Sequence, residues 1–274
     1  MRFWTPEEKE LVLLNYGKLT YRQMEELLPG RTWTAIRHQA RLSKLTGNSN
    51  LGRKYSVNKQ FFHIPNLLNS YWAGFIAADG CIRDTGRLAI ALANLDAIHL
   101  EKLVADISYT GRVIVEEKRV ALTISCKEIV DDLLTNFNIT PRKSKTLQPP
   151  NINDESLVSA FITGLIDGDG SIGQKRKGNI CITLYGTKAI LLWVKSFFDK
   201  WTTPTNYKLS EVRKFNDGRE LYYYHVCSQR AKEIGLRLLS FDVPRLERKW
   251  NKIRYDCQNH FPQKSSDAAI TRGF

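Results

Sequence analysis

The chain is poor in cysteine, in apolar length and in acid. Five cysteines stand among its 274 residues (Cys81, Cys126, Cys181, Cys227, Cys257), with no C-x-x-C pair and an odd total. Thiols scattered in this way argue against a disulfide framework or a zinc site, and they read as small buried hydrophobes in a reducing compartment. No apolar run approaches the ~18 residues that a membrane-spanning helix needs, and the opening stretch MRFWTPEEKE has no apolar signal core. A cytoplasmic chain without a membrane partner is the expectation. Acids are outnumbered, 28 Asp and Glu against 41 Lys and Arg, and the net charge of +13 is spread along the chain. That excess favours a polyanion partner, nucleic acid first and an acidic membrane surface second.

Three short helices are predicted over residues 1–46. TPEEKELVLLNYG opens with an N-cap, Thr5, a proline at the first helical position and acids in the first turn, and it closes at Gly17. TYRQMEELLPG repeats that logic from Thr20 to a Pro29-Gly30 stop. RTWTAIRHQARLSKL supplies the third helix, with Trp33, Ile36, Ala40 and Leu45 for a core and Arg37, His38, Arg41 and Lys44 on other faces. Trp4 and Trp33 are assigned to the core rather than to base stacking. Three such helices, the last one basic, suggest a helix-turn-helix unit. Residues 47–60 read as a polar, basic linker, either a plain tether or a segment whose Arg53, Lys54 and Lys59 track phosphates.

Beyond the linker the chain repeats itself. Residues 61–150 run as a helix ending at Gly80, a hairpin (CIRDTGRLAIALAN), a helix (LDAIHLEKLVADI), a hairpin (GRVIVEEKRVALTIS) and a helix (KEIVDDLLTNFNI). Residues 151–256 give the same order, and even the closing pieces match, LLTNFNI…RKS against LLSFDV…RKW. The fold class is therefore α+β, an α-β-β-α-β-β-α unit used twice, and two copies in one chain imply a monomer with a pseudo-two-fold axis. Residues 257–274 lack periodicity and read as a loosely ordered tail.

Each repeat opens on a helix whose end is acidic, YWAGFIAADG and FITGLIDGDG. A helix C-terminus already carries about half a negative charge, so a carboxylate there is disfavoured. Small residues four apart, Gly74 with Ala78 and Gly164 with Gly168, let the two helices meet backbone to backbone as the repeat interface. Gly80 and Gly170 are expected in left-handed C-cap positions. Asp79 and Asp169 then come together, and two charges a few ångströms apart repel by several kcal/mol at an effective dielectric of about 20. Either one carboxyl takes a proton or a divalent cation sits between them, and hard oxygen ligands suit Mg²⁺.

WAGFIAADG (Trp72 to Gly80) and ITGLIDGDG (Ile162 to Gly170) resemble the nine-residue motif of the LAGLIDADG homing endonucleases, in the single-chain form with two motifs. The resemblance spans about residues 60–255 and implies two saddle-shaped antiparallel sheets seated on DNA. It also implies that Asp79 and Asp169 bind catalytic Mg²⁺ or Mn²⁺, aided by the carbonyls of Ala78 and Gly168. Ala77 departs from the motif, where the second copy keeps Asp167. A basic residue near each scissile phosphate is implied as well, and the shared RK of PRKSKTL and LERKWNK selects Lys143 and Lys249, with Arg142, Lys145 and Arg248 close by. Separately, WTPEE, NYGKLTYRQMEELLPGRT and AIRHQARLSKL resemble the Myb/SANT-like domains, which makes Arg31, Thr34, Arg37, His38 and Arg41 candidate DNA contacts. Some SANT-like domains bind protein instead.

The hairpins supply further candidate contacts to double-stranded DNA: Arg83, Arg87, Arg112, Lys118 and Arg119 in the first repeat, and Lys175, Arg176, Lys177, Lys208, Arg213 and Lys214 in the second. The expected activity is metal-dependent double-strand cleavage at a long site, leaving short 3′ overhangs, by a nucleoid-associated protein with no small-molecule substrate. The alternatives are a nuclease-dead binder on the same fold (an intron maturase or a DNA-binding regulator) and a strand-specific nickase. Without a terminal His-Asn junction the chain reads as free-standing or intron-encoded rather than as an intein.

Overall fold

The computed structural model describes residues 3–46, 55–174, 179–206, 208–214 and 220–259. Its chain separates into two compact units, Met1–Asn58 with Ser108–Arg112, and Lys59–Ile107 with Val113–Phe274.

In the first unit, reciprocal capping starts the helices. Thr5 Oγ1 accepts the Glu8 N–H at 3.2 Å while Glu8 Oε2 accepts the Thr5 N–H at 3.0 Å, opening α1 (Pro6–Asn15). Thr20 and Gln23 make the same exchange at α2 (Tyr21–Leu27), and Thr32 caps α3 (Trp33–Leu42). Gly17 and Gly30, both at φ 82°, turn the chain between helices in the left-handed region that glycine enters without a steric penalty. Val12, Met24, Leu28, Ile36 and Ala40 form the core, flanked by Trp4, Tyr16, Trp33 and Leu45. Ser108–Arg112 joins this unit through Thr110, whose hydroxyl accepts the Ser56 N–H at 2.8 Å and whose own N–H donates to Ser56 O at 3.0 Å.

Arg31 corrects an expectation. It is 9% exposed, donates to Glu8 through Nε at 3.1 Å and Nη2 at 2.6 Å, and lies 4.3 Å from the Trp4 ring centroid. The acids at the start of α1 draw the guanidinium inward, where it cements α1 to the turn before α3 rather than facing a partner.

The second unit repeats one order of elements. Its first half comprises α4 (Leu67–Asp79), β1 (Gly80–Arg83), β2 (Arg87–Ala93), α5 (Ala97–Asp106), β3 (Ile114–Val115), β4 (Arg119–Ser125) and α6 (Lys127–Phe137). Its second half comprises α7 (Glu155–Asp169), β5 (Gly170–Gln174), β6 (Ile180–Gly186), α8 (Lys188–Trp201), β7 (Ser210–Lys214), β8 (Glu220–Cys227) and α9 (Ser228–Leu239), followed by α10 (Glu247–Asn259). The sheets share one antiparallel topology, β1-β2-β4-β3 and β5-β6-β8-β7. α5 and α6 back the first sheet, and α8 and α9 back the second. Leu88, Ile90 and Leu92 on β2 and Val120, Leu122 and Ile124 on β4 turn to the helices, while Ala89, Ala91, Ala121 and Thr123 line the other face. α10 extends past the boundary drawn at residue 256 because helical geometry continues to Asn259; residues 260–274 of the expected tail lie outside the described residues.

Two further expectations are corrected. Cys181 and Cys227 are not isolated thiols: they face each other across β6 and β8 and pair as a disulfide, a partnership that a sequence separation of 46 hides from any spacing rule. Gly80 and Gly170 are extended (φ −77° and −98°) rather than left-handed. Close approach explains them instead, since a Cβ on Gly80 would lie 2.6 Å from Ile76 O and one on Gly170 would lie 2.7 Å from Ile166 O.

The centre of the unit is the α4–α7 pair, buried on every side from Asn69 to Ala77 and from Val158 to Asp167. A Cβ on Gly74 would stand 2.0 Å from Phe161 O, and one on Gly164 would stand 2.1 Å from Tyr71 O. Either would collide with the opposing backbone, which no side-chain rotation relieves. Gly74→Ala and Gly164→Ala are each expected to lower stability by at least about 2 kcal/mol in denaturant titration. Gly173→Ala, with nothing within 4 Å of the added carbon, should change it by less than about 0.5 kcal/mol.

Candidate active site

The packed helices deliver two carboxylates to one place. A Cβ on Gly168 would lie 2.2 Å from the Ala78 Cβ and 3.4 Å from Asp79 Oδ2, so the last turns of α4 and α7 touch where they end. Burial raises the Asp79 carboxyl to about 6, and the charge of Asp169 pushes it in the same direction. Solvent touches Asp169, yet crowding protein atoms raise its carboxyl too, against the pull of Lys143 and Lys249.

Those two lysines are the chain's own answer to the acidic helix ends. Lys143 is 6% exposed and its Nζ donates to Ala78 O at 2.9 Å. Lys249 is 8% exposed and its Nζ donates to the carbonyls of Ile166 at 3.0 Å, Asp167 at 2.5 Å, Gly168 at 3.4 Å and Gly170 at 2.8 Å. Each ammonium therefore sits on the negative end of a motif helix. Burial lowers both lysine pKa values, and the nearby aspartates oppose that shift. Their neighbours are engaged elsewhere: Arg142 pairs with Asp84 at 2.9 Å, and Arg248 with Asp96 at 2.6 Å.

The donor set fits a hard divalent cation. Two carboxylates and two helix ends of about half a charge each make roughly three negative charges, against two ammonium groups. Carboxylate and carbonyl oxygens are the ligands that Mg²⁺ and Mn²⁺ prefer, and Asp79, Asp169 and the carbonyls of Ala78 and Gly168 lie around the contact of the two helix ends. The Ala78 carbonyl has a second lone pair beside the one that Lys143 uses.

Asp167 takes a different part. It is 1% exposed; Oδ2 accepts Tyr71 O–H at 2.8 Å and Leu246 N–H at 2.9 Å, and Oδ1 accepts Trp250 Nε1–H at 2.7 Å. Tyr71 belongs to α4, and Leu246 and Trp250 flank Lys249, so one carboxyl ties both motif helices to the segment carrying that lysine. The Tyr71 hydroxyl also meets His99 Nε2 at 2.7 Å. This network escaped sequence reading, because its members lie on separate elements: Tyr71, Asp167, Leu246 and Trp250 fall in stretches the sequence singled out, but nothing there pairs them. Lys252, which donates to Ile172 O at 2.7 Å, escaped it as well.

The remaining candidates scatter. Thr34, Arg37, His38 and Arg41 are exposed at i, i+3, i+4 and i+7, one face of α3 opposite Ile36 and Ala40. Arg83 and Arg87 face each other across β1 and β2 at one end of the open face of the first sheet. Arg119 stands at the other end, held by Glu116 at 2.6 Å, with Lys118 exposed beside it. Arg112 is exposed and borders a cavity of about 350 Å³ with Tyr21, Arg22, Tyr55 and Thr110 in the first unit. Lys208 is exposed beside β7. Arg213 and Lys214 lie on β7, while Arg53, Lys54, Lys175, Arg176 and Lys177 lie outside the described residues. Among the described residues no helix is long and apolar enough to cross a membrane.

No protein-family model and no characterised protein sequence matches the chain. Among solved structures it is similar to the I-LtrWI LAGLIDADG homing endonuclease bound to target DNA, at 13% identity and TM-score 0.46 over 74% of this chain and 90% of that one. It is also similar to the LAGLIDADG homing endonuclease I-GzeII in complex with its DNA target, at 12% identity and TM-score 0.46 over 72% and 94%. I-DmoI in complex with DNA and calcium overlaps at 14% identity and TM-score 0.43 over 72% and 99%. Overlaps at this level assign no family.

Burial holds the His99 imidazole neutral, lowering its pKa from 6.5 to about 4, with the Lys102 charge adding to the effect. The unfolded chain therefore binds one more proton than the folded chain between those values. The stability that His99 contributes is complete above pH 6.5 and is lost as pH falls toward 4. Asp167, raised to about 6 by burial, acts in the opposite direction, so the effect is read as a difference from His99→Gln. Between pH 7 and 5 the native chain should lose about 2 kcal/mol relative to that variant in urea titrations. Parallel pH profiles would remove His99 from this account.

Proposed function

We propose that the chain is a site-specific DNA endonuclease that makes metal-dependent double-strand breaks at a long target, leaving short 3′ overhangs. The observation that carries this reading is the pair of aspartates at the joined ends of α4 and α7, each helix end also holding a buried lysine ammonium. Asp79 and Asp169, with the carbonyls of Ala78 and Gly168, would hold Mg²⁺ or Mn²⁺. When bound, the ion supplies an acidified water and charge stabilisation on the phosphate oxygens.

The chain's own groups do the rest. Lys143 and Lys249 offset negative charge as it builds on the phosphate, and burial fits them to give a proton to the departing 3′ oxygen. The open face of the first sheet is floored by Ala89, Ala91 and Ala121, so a duplex can approach its backbone, with Arg83, Arg87 and Arg119 towards the rim. In the first unit the exposed face of α3 presents Thr34, Arg37, His38 and Arg41 to a major groove, as a Myb-like helix-turn-helix would. Two tethered binding units lengthen the recognised site through effective concentration. One chain then serves both strands, one per repeat.

The two ends are unequal. Lys249 is fixed by four carbonyls against one for Lys143, and Asp167 has no counterpart at Ala77. That asymmetry favours different rates on the two strands, with nicking as its limit.

Cleavage of a randomised DNA library, with ends sequenced, tests the reading. Cuts at one long site with Mg²⁺ and none with EDTA are expected, and Asp79→Asn or Asp169→Asn should abolish double-strand cleavage. Lys143→Met and Lys249→Met should each slow one strand by about 100-fold or more. Selective binding without cleavage would leave a nuclease-dead maturase or regulator. Affinity should fall by roughly 10³-fold or more between 50 and 200 mM salt, and a flat salt profile would remove the cationic sheet faces from the account.

A further inference from the structure

The second sheet carries a cluster that the cleavage site does not use. Cys181 on β6 faces Cys227 on β8, and Thr183 faces His225 one pleat along, so all four side chains share a face. The buried Ile182, Tyr224 and Val226 point the other way, into the helices. The sulfurs of Cys181 and Cys227 and a ring nitrogen of His225 all lie within 4.8 Å of one another. His225 Nδ1 stands 2.7 Å from Thr183 Oγ1, and His225 Nε2 stands 2.7 Å from Cys227 Sγ. In the tautomer whose Nδ1–H donates to the threonine hydroxyl, the Nε2 lone pair faces Cys227 Sγ.

On reduction the Cys181–Cys227 pair becomes two thiols beside that imidazole. Two thiolates and an imidazole are ligands that zinc selects, at about 2.3 Å for sulfur and about 2.0 Å for nitrogen. A cavity of about 560 Å³ opens beside His225 and Cys227, bordered also by Lys208, Gln229 and Arg230, and gives an outside ligand room to approach that side of the cluster. Three protein ligands with an open fourth position is a recognised zinc arrangement.

We propose that Cys181, His225 and Cys227, in the dithiol state, form a zinc site on the open face of the second sheet. A dithiol reductant passes two electrons and two protons to the Cys181–Cys227 bond and leaves as its own disulfide, giving two thiols here. Zinc then displaces those two protons as it binds both sulfurs. The site is distinct in chemistry from the hard oxygen site at Asp79 and Asp169, and it stands whether or not the chain cleaves DNA.

The test uses the full chain, reduced with a phosphine, stripped with chelator and dialysed against zinc, with metal content measured by mass spectrometry. One equivalent is expected in the native chain and in the Asp79→Asn/Asp169→Asn double variant. Co²⁺ in place of zinc should give intense sulfur-to-cobalt charge transfer and tetrahedral d–d bands. Cys181→Ser/Cys227→Ser should lose both signals, and His225→Asn should weaken binding at least 10-fold. The native chain oxidised with diamide should release zinc and recover it on reduction, a reading that does not depend on the serine variant folding. Zinc held equally by the serine variant or by the oxidised chain, or no zinc in the reduced native chain, would overturn the site.

Discussion

The contact of two bare backbones at Gly74 and Gly164 is the constraint on which the second unit depends. With 2.0 Å and 2.1 Å separating hypothetical Cβ atoms from opposing carbonyl oxygens, α4 and α7 pack at a distance that leaves no room for a side chain at either glycine. That distance brings Ala78 against Gly168 and sets both helix C-termini side by side. The acidic pair at Asp79 and Asp169 follows from the packing, so an electrostatically costly arrangement is imposed by a favourable steric one. Apolar burial along two helices covered on every side supplies the free energy that holds it.

Lysine placement follows from the same geometry. The unpaired carbonyls at a helix end need donors. Lys143 and Lys249 arrive from the segments that close each repeat and satisfy them. Asp167 fastens the second arrival by holding Leu246 and Trp250, on either side of Lys249, while Tyr71 links the same carboxyl to α4. The first repeat has apolar Ala77 at the corresponding place and a single lysine contact. The two halves thus share a topology but differ in how rigidly the acidic end is braced.

Much of this was legible in the sequence. Thr5 and Thr20 announce their helices as N-caps, and the small-residue spacing of Gly74 and Gly164 announces the helix pair. Lys143 and Lys249 emerged from matching one repeat against the other. What stayed hidden was long-range: the engagement of Arg31 by Glu8, the pairing of Cys181 with Cys227, and the chain from His99 through Tyr71 to Asp167. Each joins residues whose proximity only the fold creates. Gly80 and Gly170 were identified as necessary glycines, but for φ rather than for close approach to Ile76 and Ile166, a distinction that composition cannot carry.

The open faces of the two sheets show where the repeats part company. The first is smooth, with Ala89, Ala91 and Ala121 between Arg83 and Arg87 at one end and Arg119 at the other. The second places Cys181, Thr183, Tyr185, Tyr223, His225 and Cys227 on the equivalent strands. Equivalent strands with different side chains cannot present the same donors and apolar contacts, so a duplex lying on both would be read unequally in its two halves. Bracing and surface chemistry differ together. Under the proposed function, a duplicated fold in which neither the acidic ends nor the open faces match would suit an asymmetric target, which two identical subunits related by exact symmetry would not read as well.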